Sequence, residues 1–232
     1  MVIVDKDLGE IRLVKNARAK RIIVRKKDGY LQLTYPPSVS MSFVEKTIRE
    51  MKPRLMSLVE KKTTRILFTP DIEFNTFSFT LKLITGTSTK NYYMSLKEGV
   101  LSISCPADIN YNDSTAQSTI KGFVEKALRY EANRLFPAKV KSFAERYGFK
   151  YTEVKINKSR TRWGSCSSKK TINLSFYCML LPEYLVDFVI LHELCHTVEM
   201  NHGERFWQLL DKVSDDKAKE LTKALKDHKT ML

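Results

Sequence analysis

The chain has 232 residues, and its content of 43% hydrophobic and 28% charged residues is typical of a folded globular protein and excludes an intrinsically disordered one. It contains no apolar run of about 18 residues, so we expect no membrane-spanning helix. The N-terminal residues lack the basic and apolar segments of a secretion signal, and we therefore expect a cytoplasmic protein.

The formal net charge of +14 favours anionic partners, and much of it lies near the N-terminus. Residues 1–66 hold 16 lysines and arginines against 7 aspartates and glutamates, which places +9 of the total charge there. This basic region is a candidate for nucleic-acid binding, and the alternative is an ordinary solvated surface.

The four cysteines lack CxxC spacing, so we expect reduced thiols rather than a disulfide framework at Cys105, Cys166, Cys178 and Cys195. Cys195 is expected to pack inward as a small apolar residue, because it lies one position away from the face of the histidines described below.

The N-terminal half contains two similar segments. Residues 27–36 align with 97–106, and each predicts a strand, a tight Asp-Gly or Glu-Gly turn, a second strand and a proline stop. The same helical opening, Phe-Val-Glu-Lys, follows each of them at 43–46 and 123–126. We interpret this as a repeated β-hairpin–helix unit, and the alternative is coincidence between two ordinary hairpins.

Helical periodicity follows the second hairpin. From 115 to 147 apolar residues recur at spacings of three and four, which predicts a helix with one buried face. Pro137 predicts a break or kink, because proline disfavours a helical residue before it. Gly148 predicts the end of the helix that follows this break.

Alternating residues then predict strands at 150–157 and 171–176, with a polar loop or hairpin turn over 160–170 between them. A long apolar helix is predicted to open at Pro182 and to carry the next motif.

Three of the four histidines lie in one eleven-residue stretch, HELCHTVEMNH, which runs from His192 to His202. Helix positions i and i+4 share one face, so the imidazoles of His192 and His196 can reach one metal ion. Glu193 can lean over the same metal and hold a water, which is the geometry of the HExxH metalloprotease helix. His202 follows at a distance suited to a third ligand.

The third ligand has competing candidates. His202 is preferred, and the carboxylates of Glu199 and Glu204 are the alternatives. The metzincin pattern has glycine three residues after its second histidine, where this chain has Glu199, so we do not assign that turn. Asn201 tolerates a left-handed conformation and would reverse the chain to bring His202 back.

A zinc ion held by three neutral ligands leaves a fourth position for water or substrate. Zinc lowers the pKa of bound water toward about 7 and polarises a carbonyl, while Glu193 would take the proton of the water and return it to the leaving amine. The apolar segment 184–191 suits a buried metal helix, and Phe206 and Trp207 are expected to pack the following helix onto it. These features predict hydrolysis of peptide or protein substrates, and the alternatives are a catalytically silent structural zinc module and solvated histidines.

Arg160 and Arg162 precede Trp163 in the polar turn. One interpretation places an arginine near the cleft, where it stabilises an oxyanion or binds a substrate carboxylate, and the other is a turn held by arginine hydrogen bonds. The strand 171–176, which contains Asn173, is our candidate for an edge strand that binds substrate as an added strand. Arg160, Arg162 and Asn173 are therefore the candidate substrate-binding residues.

Several motifs together resemble the YgjP-like metallopeptidase family, namely AKRI at 19–22, YPP at 35–37, RTRWGSCS at 160–167, INL at 172–174, HELCH at 192–196, NH at 201–202 and FW at 206–207. This resemblance spans nearly the whole chain. It implies a zinc-dependent peptidase-type fold with His192, His196 and His202 as ligands and Glu193 as the catalytic residue. The family is similar to the SprT and WLM proteases, which act on DNA-bound proteins, so a nucleic-acid-associated protein of that type is an alternative.

We therefore expect an α+β protein with two regions. Residues 1–112 are predicted to form a basic, β-rich region of repeated β-hairpin–helix units. Residues 113–232 are predicted to form a zincin-like helical metal-binding domain.

Overall fold

The computed structural model describes residues 1–27, 29–60, 66–87, 90–228 and 232, and it confirms the α+β class. The chain divides into two compact units, Met1–Thr64 and Arg65–Leu232. The predicted boundary at 112/113 therefore lies inside the second unit. The reason is that Leu101 and Ile103, in the sheet before that boundary, share one hydrophobic core with Ile120 after it.

The first unit contains four strands and one helix, β1 (Val2–Asp5), β2 (Gly9–Lys15), β3 (Ile23–Lys27), β4 (Tyr30–Tyr35) and α1 (Met41–Glu60). The strands lie in the order β1-β2-β4-β3, with β2 parallel to β4 and the other two pairs antiparallel. Alternating residues of β2 and β4 bury one face of the sheet in the same cluster as apolar residues of α1, including Ile11, Leu31, Leu33 and Leu55.

Basic residues of the first unit lie on both of its sides. Arg12 and Arg25 are in register with Gln32, and the strand neighbours of Gln32 point into the core, so both arginines lie on the sheet face away from α1. Lys46 and Arg49 are exposed on α1 itself. The described part of this unit therefore presents no single basic face, and the hypothesis of nucleic-acid binding gains no support from it.

The second unit begins with a sheet of three strands, β5 (Thr80–Thr87), β6 (Tyr93–Lys97) and β7 (Val100–Pro106), followed by α2 (Ser114–Tyr147). The strand order is β5-β7-β6. The pairs β3–β4 and β6–β7 are each antiparallel and are each followed by a helix. That they are copies of one repeated unit stays a prediction.

The long helix α2 contains 34 residues in one piece. The Asp113 side chain accepts a backbone N–H of its first turn, and Gly148 ends it with a φ of 75°. Of the predicted break or kink at Pro137, the break is wrong because α2 continues through this position, and the kink stays a prediction. A proline inside a helix costs about 3 kcal/mol, but Phe136 and Val140 on either side of it are fully buried. Each such side chain contributes about 1.5–3 kcal/mol, so packing outweighs the proline.

The remaining elements surround the candidate site, and they are β8 (Glu153–Asn157), β9 (Gly164–Cys166), β10 (Thr171–Ser175), a 3₁₀ segment (Phe176–Leu180), α3 (Glu183–Cys195), α4 (Glu204–Val213) and α5 (Ala218–Asp227). The three strands form a sheet in the order β8-β10-β9. None of the helices in the described ranges combines the length and the apolar character that a membrane span needs.

Candidate metal centre

Helix α3 carries the first two histidines, and most of its residues are buried. The helix ends at Cys195, but His196 keeps right-handed helical angles, with φ −65° and ψ −14°, and its N–H bonds to the His192 carbonyl. The i, i+4 relationship therefore continues past the end of the helix, and the two imidazole centroids lie 4.9 Å apart. Cys195 is fully buried, as expected, and burial raises the pKa of its thiol to about 12.

The segment after α3 turns back and brings His202 to the same point. The Val198 N–H bonds to the Cys195 carbonyl and the Gly203 N–H to the Asn201 carbonyl, after which α4 begins. Asn201 is not among the residues with a positive φ, so the predicted left-handed turn at that position is wrong. The turn is instead held by these local backbone hydrogen bonds in the segment between α3 and α4.

Three imidazoles converge in this way. The Nε2 atoms of His192 and His202 lie 3.1 Å apart, and the ligand atoms of His192, His196 and His202 all lie within 4.8 Å of one another. Within the described residues this group has no fourth His, Cys, Asp or Glu member. Three imidazole nitrogens that point at one another suit a divalent transition metal.

One imidazole is oriented by a backbone carbonyl. The Nδ1 of His196 lies 3.0 Å from the Glu199 carbonyl oxygen, so Nδ1 must carry the proton that is donated there. The Nε2 lone pair of His196 is therefore free for a metal. Glu199 contributes its carbonyl to this arrangement, and the Glu204 carboxylate accepts a hydrogen bond from Gln208. Neither carboxylate belongs to the converging group.

The ring of Phe206 packs against all three imidazoles. Its centroid lies 4.9 Å from that of His192, 4.5 Å from that of His196 and 4.7 Å from that of His202, and the residue is fully buried. The sequence predicted that Phe206 packs α4 onto the metal helix, but not that its ring contacts three histidines at once. The ring restricts the orientations of the imidazoles and excludes water from one side of them.

Burial favours the neutral form of His192 and His196. Desolvation, together with the smaller effect of the neighbouring histidines, lowers the pKa of His192 to about 4. Desolvation also lowers the pKa of His196, although its bond to the Glu199 carbonyl opposes this. Neutral imidazoles expose a lone pair, which is the form that binds metal.

Glu193 is buried beside the histidines, with 6% of its surface exposed. Burial raises the pKa of its carboxyl to about 8, and a hydrogen bond from the Cys166 backbone N–H opposes the rise. Its Oε2 has no hydrogen-bond partner among the described residues. A buried, unpartnered carboxyl oxygen lacks the interaction that normally compensates its burial, so this position favours a bound water or metal-bound group.

The position of this carboxyl depends on Gly164 in β9. A Cβ at position 164 would lie 2.7 Å from Glu193 Oε1 and 2.7 Å from its Cγ. Only glycine leaves room for the carboxyl at this place. His192, Glu193 and His196 line a cavity of about 310 Å³ together with residues of β9, and Arg162, Met200 and His202 complete its walls.

Comparison with protein families assigns the chain. A family model described as the YgjP-like metallopeptidase domain matches residues 20–228. The chain belongs to the YgjP-like family. This is the family that the motifs predicted. Because it is a metallopeptidase family, membership implies a metal ion and peptide or protein substrates.

Two solved structures are similar to part of this YgjP-like chain. The metallopeptidase zymogen of Pyrococcus abyssi abylysin is 22% identical and covers 38% of this chain and 89% of its own, with a TM-score of 0.35. The metallopeptidase zymogen of Methanocaldococcus jannaschii jannalysin is 25% identical and covers 39% of this chain and 92% of its own, with a TM-score of 0.35. No curated protein matches the chain significantly.

Of the three predicted substrate-binding residues, one lines the cavity. Arg162 is exposed there, in the same walls as the histidines. Arg160 donates to the Tyr177 hydroxyl and to Glu125, and the Asn173 amide donates to the carbonyls of its own sheet. These bonds hold Arg160 and Asn173 in the protein around the cavity and not in its lining. A role in substrate binding stays a prediction for all three residues.

The expectation that strand 171–176 forms the edge of the sheet is wrong. β10 is the central strand, because it pairs with β8 on one side and with β9 on the other. Both of its hydrogen-bonding edges are therefore occupied. The edge strand beside the metal centre is β9, which lies within the segment 160–170 that was predicted as loop or turn.

A polar network that the sequence did not predict supports this wall of the YgjP-like site. The buried Tyr177 hydroxyl donates to Glu125 Oε1 at 2.7 Å, and Arg160 donates to both of them at 3.0 Å. Lys158 forms an ion pair with the other oxygen of Glu125. Glu125 lies on α2, far from the motif in sequence, and no local pattern distinguishes it from a surface glutamate.

Proposed function

We propose that the protein is a zinc-dependent metallopeptidase that hydrolyses peptide bonds with a metal-activated water. The observation that carries this proposal is one cavity in which three imidazoles converge beside a buried carboxyl with an unpartnered oxygen. A structural zinc site normally has four protein ligands. The three-histidine group therefore favours a catalytic site over a structural one.

The spacing of His192 and His202 supports zinc as the metal. Tetrahedral ligands at about 2.0–2.1 Å from the ion lie about 3.3 Å from one another. The Nε2 atoms of His192 and His202 are 3.1 Å apart, close to this spacing. His196 presents its Nε2 because its Nδ1 proton is donated to the Glu199 carbonyl. We infer that His192, His196 and His202 hold the ion.

When bound, zinc lowers the pKa of a ligated water and polarises the substrate carbonyl. Glu193 acts as the general base that accepts the proton of the attacking water and returns it to the leaving amine nitrogen. The Oε2 of this carboxyl has no hydrogen-bond partner among the described residues, so it is available to bind that water. Gly164 leaves the space that this carboxyl needs.

Strand β9 is our candidate for the substrate platform. Its residues Gly164, Ser165 and Cys166 line the cavity, and within the described residues it pairs only with β10. An extended peptide can add to such an edge by main-chain hydrogen bonds that do not depend on the side chains of the peptide. We propose that the substrate lies along β9, across the histidines.

The experiment that tests this proposal combines metal analysis with cleavage of an unfolded protein. We expect the wild-type protein and Glu193→Gln to bind one zinc each, and only the wild type to cleave, with the rate of the variant lower by at least about 10²-fold. Glu204→Gln, whose carboxylate bonds to Gln208 outside the histidine group, is the matched control and should cleave normally. Equal cleavage by wild type and Glu193→Gln contradicts the proposed role of Glu193.

A further inference from the structure

The two arginines of the turn before β9 have different surroundings. Arg160 is paired, because it donates to Glu125 Oε1 at 3.0 Å and to the Tyr177 hydroxyl at 3.0 Å. Arg162 forms no ion pair within the described ranges of the chain, and its exposed side chain lines the cavity that contains the three histidines. One arginine therefore anchors the wall and the other offers a positive charge to the cavity.

The main chain around Arg162 is fixed on both sides. The Arg162 N–H donates to Ser159 Oγ at 3.2 Å. The carbonyl of the next residue, Trp163, accepts the Ser175 N–H at 2.8 Å and the Cys178 thiol at 3.1 Å. The guanidinium is thus attached to a hydrogen-bonded stretch of main chain at the cavity wall.

We propose that Arg162 binds a carboxylate of the substrate, so that the site prefers peptides with an acidic group beside the scissile bond. This inference rests on the proposed function, because it assumes that a peptide occupies the cavity. A guanidinium matches a carboxylate with two parallel hydrogen bonds, and such charge-assisted pairs are stronger than neutral ones.

Among the described residues that line the cavity, none supplies a carboxylate that pairs with Arg162, so the substrate would have to supply it. The carboxyl of Glu193 is bound by the Cys166 N–H, and no ion pair joins it to Arg162. A peptide that covers Arg162 removes water from the guanidinium, and this desolvation is compensated only when the peptide brings an anion. A neutral or basic peptide would leave the charge of Arg162 uncompensated, which disfavours its binding.

Two sources of carboxylate fit this chemistry, namely the side chain of an aspartate or glutamate and the free C-terminus of a peptide. The first would give an endopeptidase selective for acidic sequences. The second would give an enzyme that removes residues near a C-terminus. Peptides that differ in only one of these two groups distinguish the sources.

The test measures binding, so that it does not depend on catalysis. Zinc-loaded Glu193→Gln protein is titrated with fluorescent peptides in which one glutamate moves along a neutral alanine and glycine sequence, each with a matched glutamine peptide. Both sets are made with a free and an amidated C-terminus. We expect about tenfold tighter binding for a carboxylate at one position, either a side chain or the C-terminus.

Variants then connect this preference to Arg162. In the Glu193→Gln background, Arg162→Gln should bind both peptides of a pair equally, and Arg162→Glu should prefer a lysine peptide. Lys169→Gln removes an exposed charge on the β9–β10 turn outside the cavity, and it should keep the acidic preference. Melting curves confirm that each variant is folded, and since Arg162 is exposed we expect no change in them.

The inference is overturned if Glu193→Gln protein that keeps Arg162 binds each carboxylate peptide and its neutral partner with equal affinity. It is also overturned if the preference for the carboxylate persists in Arg162→Gln. A preference that requires Arg162 supports the inference even when the wild-type protein cleaves none of these peptides. If the wild-type protein also fails to cleave the unfolded protein, the proposed function fails and the carboxylate site stands.

Discussion

The backbone of Gly164 lies against the carboxyl of Glu193 so closely that a single methyl group at position 164 would stand 2.7 Å from Glu193 Oε1. The φ of Gly164 is not in the positive range, so an alanine there is opposed by this contact alone. We expect Gly164→Ala to displace the carboxyl and to lower kcat by about 10²-fold, the usual consequence of misplacing a catalytic group by about 1 Å. Gly122→Ala, where a Cβ meets nothing within 4 Å, is the matched control and should keep full activity. Unchanged kcat in Gly164→Ala contradicts the assignment.

The Phe206 ring that packs against the three histidines allows a second prediction. Phe206 is fully buried and contacts all three histidines, so Phe206→Ala leaves a cavity beneath them. We expect a loss of about 3–5 kcal/mol in the free energy of unfolding, together with weaker zinc binding because the imidazoles lose their packing. Denaturant unfolding and competition with a chelator measure the two effects. Phe43→Ala, at an exposed position, should change neither. Zinc affinity that is unchanged in Phe206→Ala would mean that the ring does not orient the histidines.

Removal of the metal should destabilise the fold. A ligand that binds only the folded state raises stability, by about 2.7 kcal/mol when its concentration is 100 times its dissociation constant. We therefore expect a chelator to lower the melting temperature and added zinc to restore it. His228→Ala should respond in the same way as wild type, since His228 lies outside the histidine group. His202→Ala should lose the response, and a full response in that variant would redirect attention to another third ligand.

The pH dependence of stability should report the Glu125 network. Burial raises the pKa of Glu125, but hydrogen bonds from Lys158, Tyr177 and Arg160 outweigh it, and the pKa falls below its ordinary value of 4.5. A carboxyl with a lowered pKa stabilises the fold above its unfolded pKa, and this contribution is lost as the pH falls through the folded pKa. We expect Glu125→Gln to be less stable than wild type at pH 7, with a difference that shrinks in acid below pH 4.5.

Denaturant unfolding of both proteins across this range measures the effect of Glu125. Glu45→Gln, at an exposed position on α1, serves as the control and should show no such difference. A difference between Glu125→Gln and wild type that stays constant with pH would show that the charge of Glu125 does not contribute.

The short-range features of this chain could be predicted from its sequence. The alignment of His192 with His196 follows from helical geometry, which places residues four apart on one face whatever surrounds them. The inward position of Cys195 and the strands β7, β8 and β10 follow from the same periodicities. These predictions hold because the interactions that determine them lie within a few residues along the chain.

Other features depend on residues that are distant in sequence. The Tyr177 hydroxyl bonds to Glu125, 52 positions away in the sequence. Gly164 in β9 lies against the side chain of Glu193 in α3. The central place of β10 in its sheet and the uninterrupted course of α2 through Pro137 have the same origin. Periodicity reports which face of an element is apolar, but the partner of that face is selected by packing of the whole unit. The motif therefore identifies the histidines and Glu193, whereas the wall that positions Glu193 exists only once β9, α2 and α3 have come together.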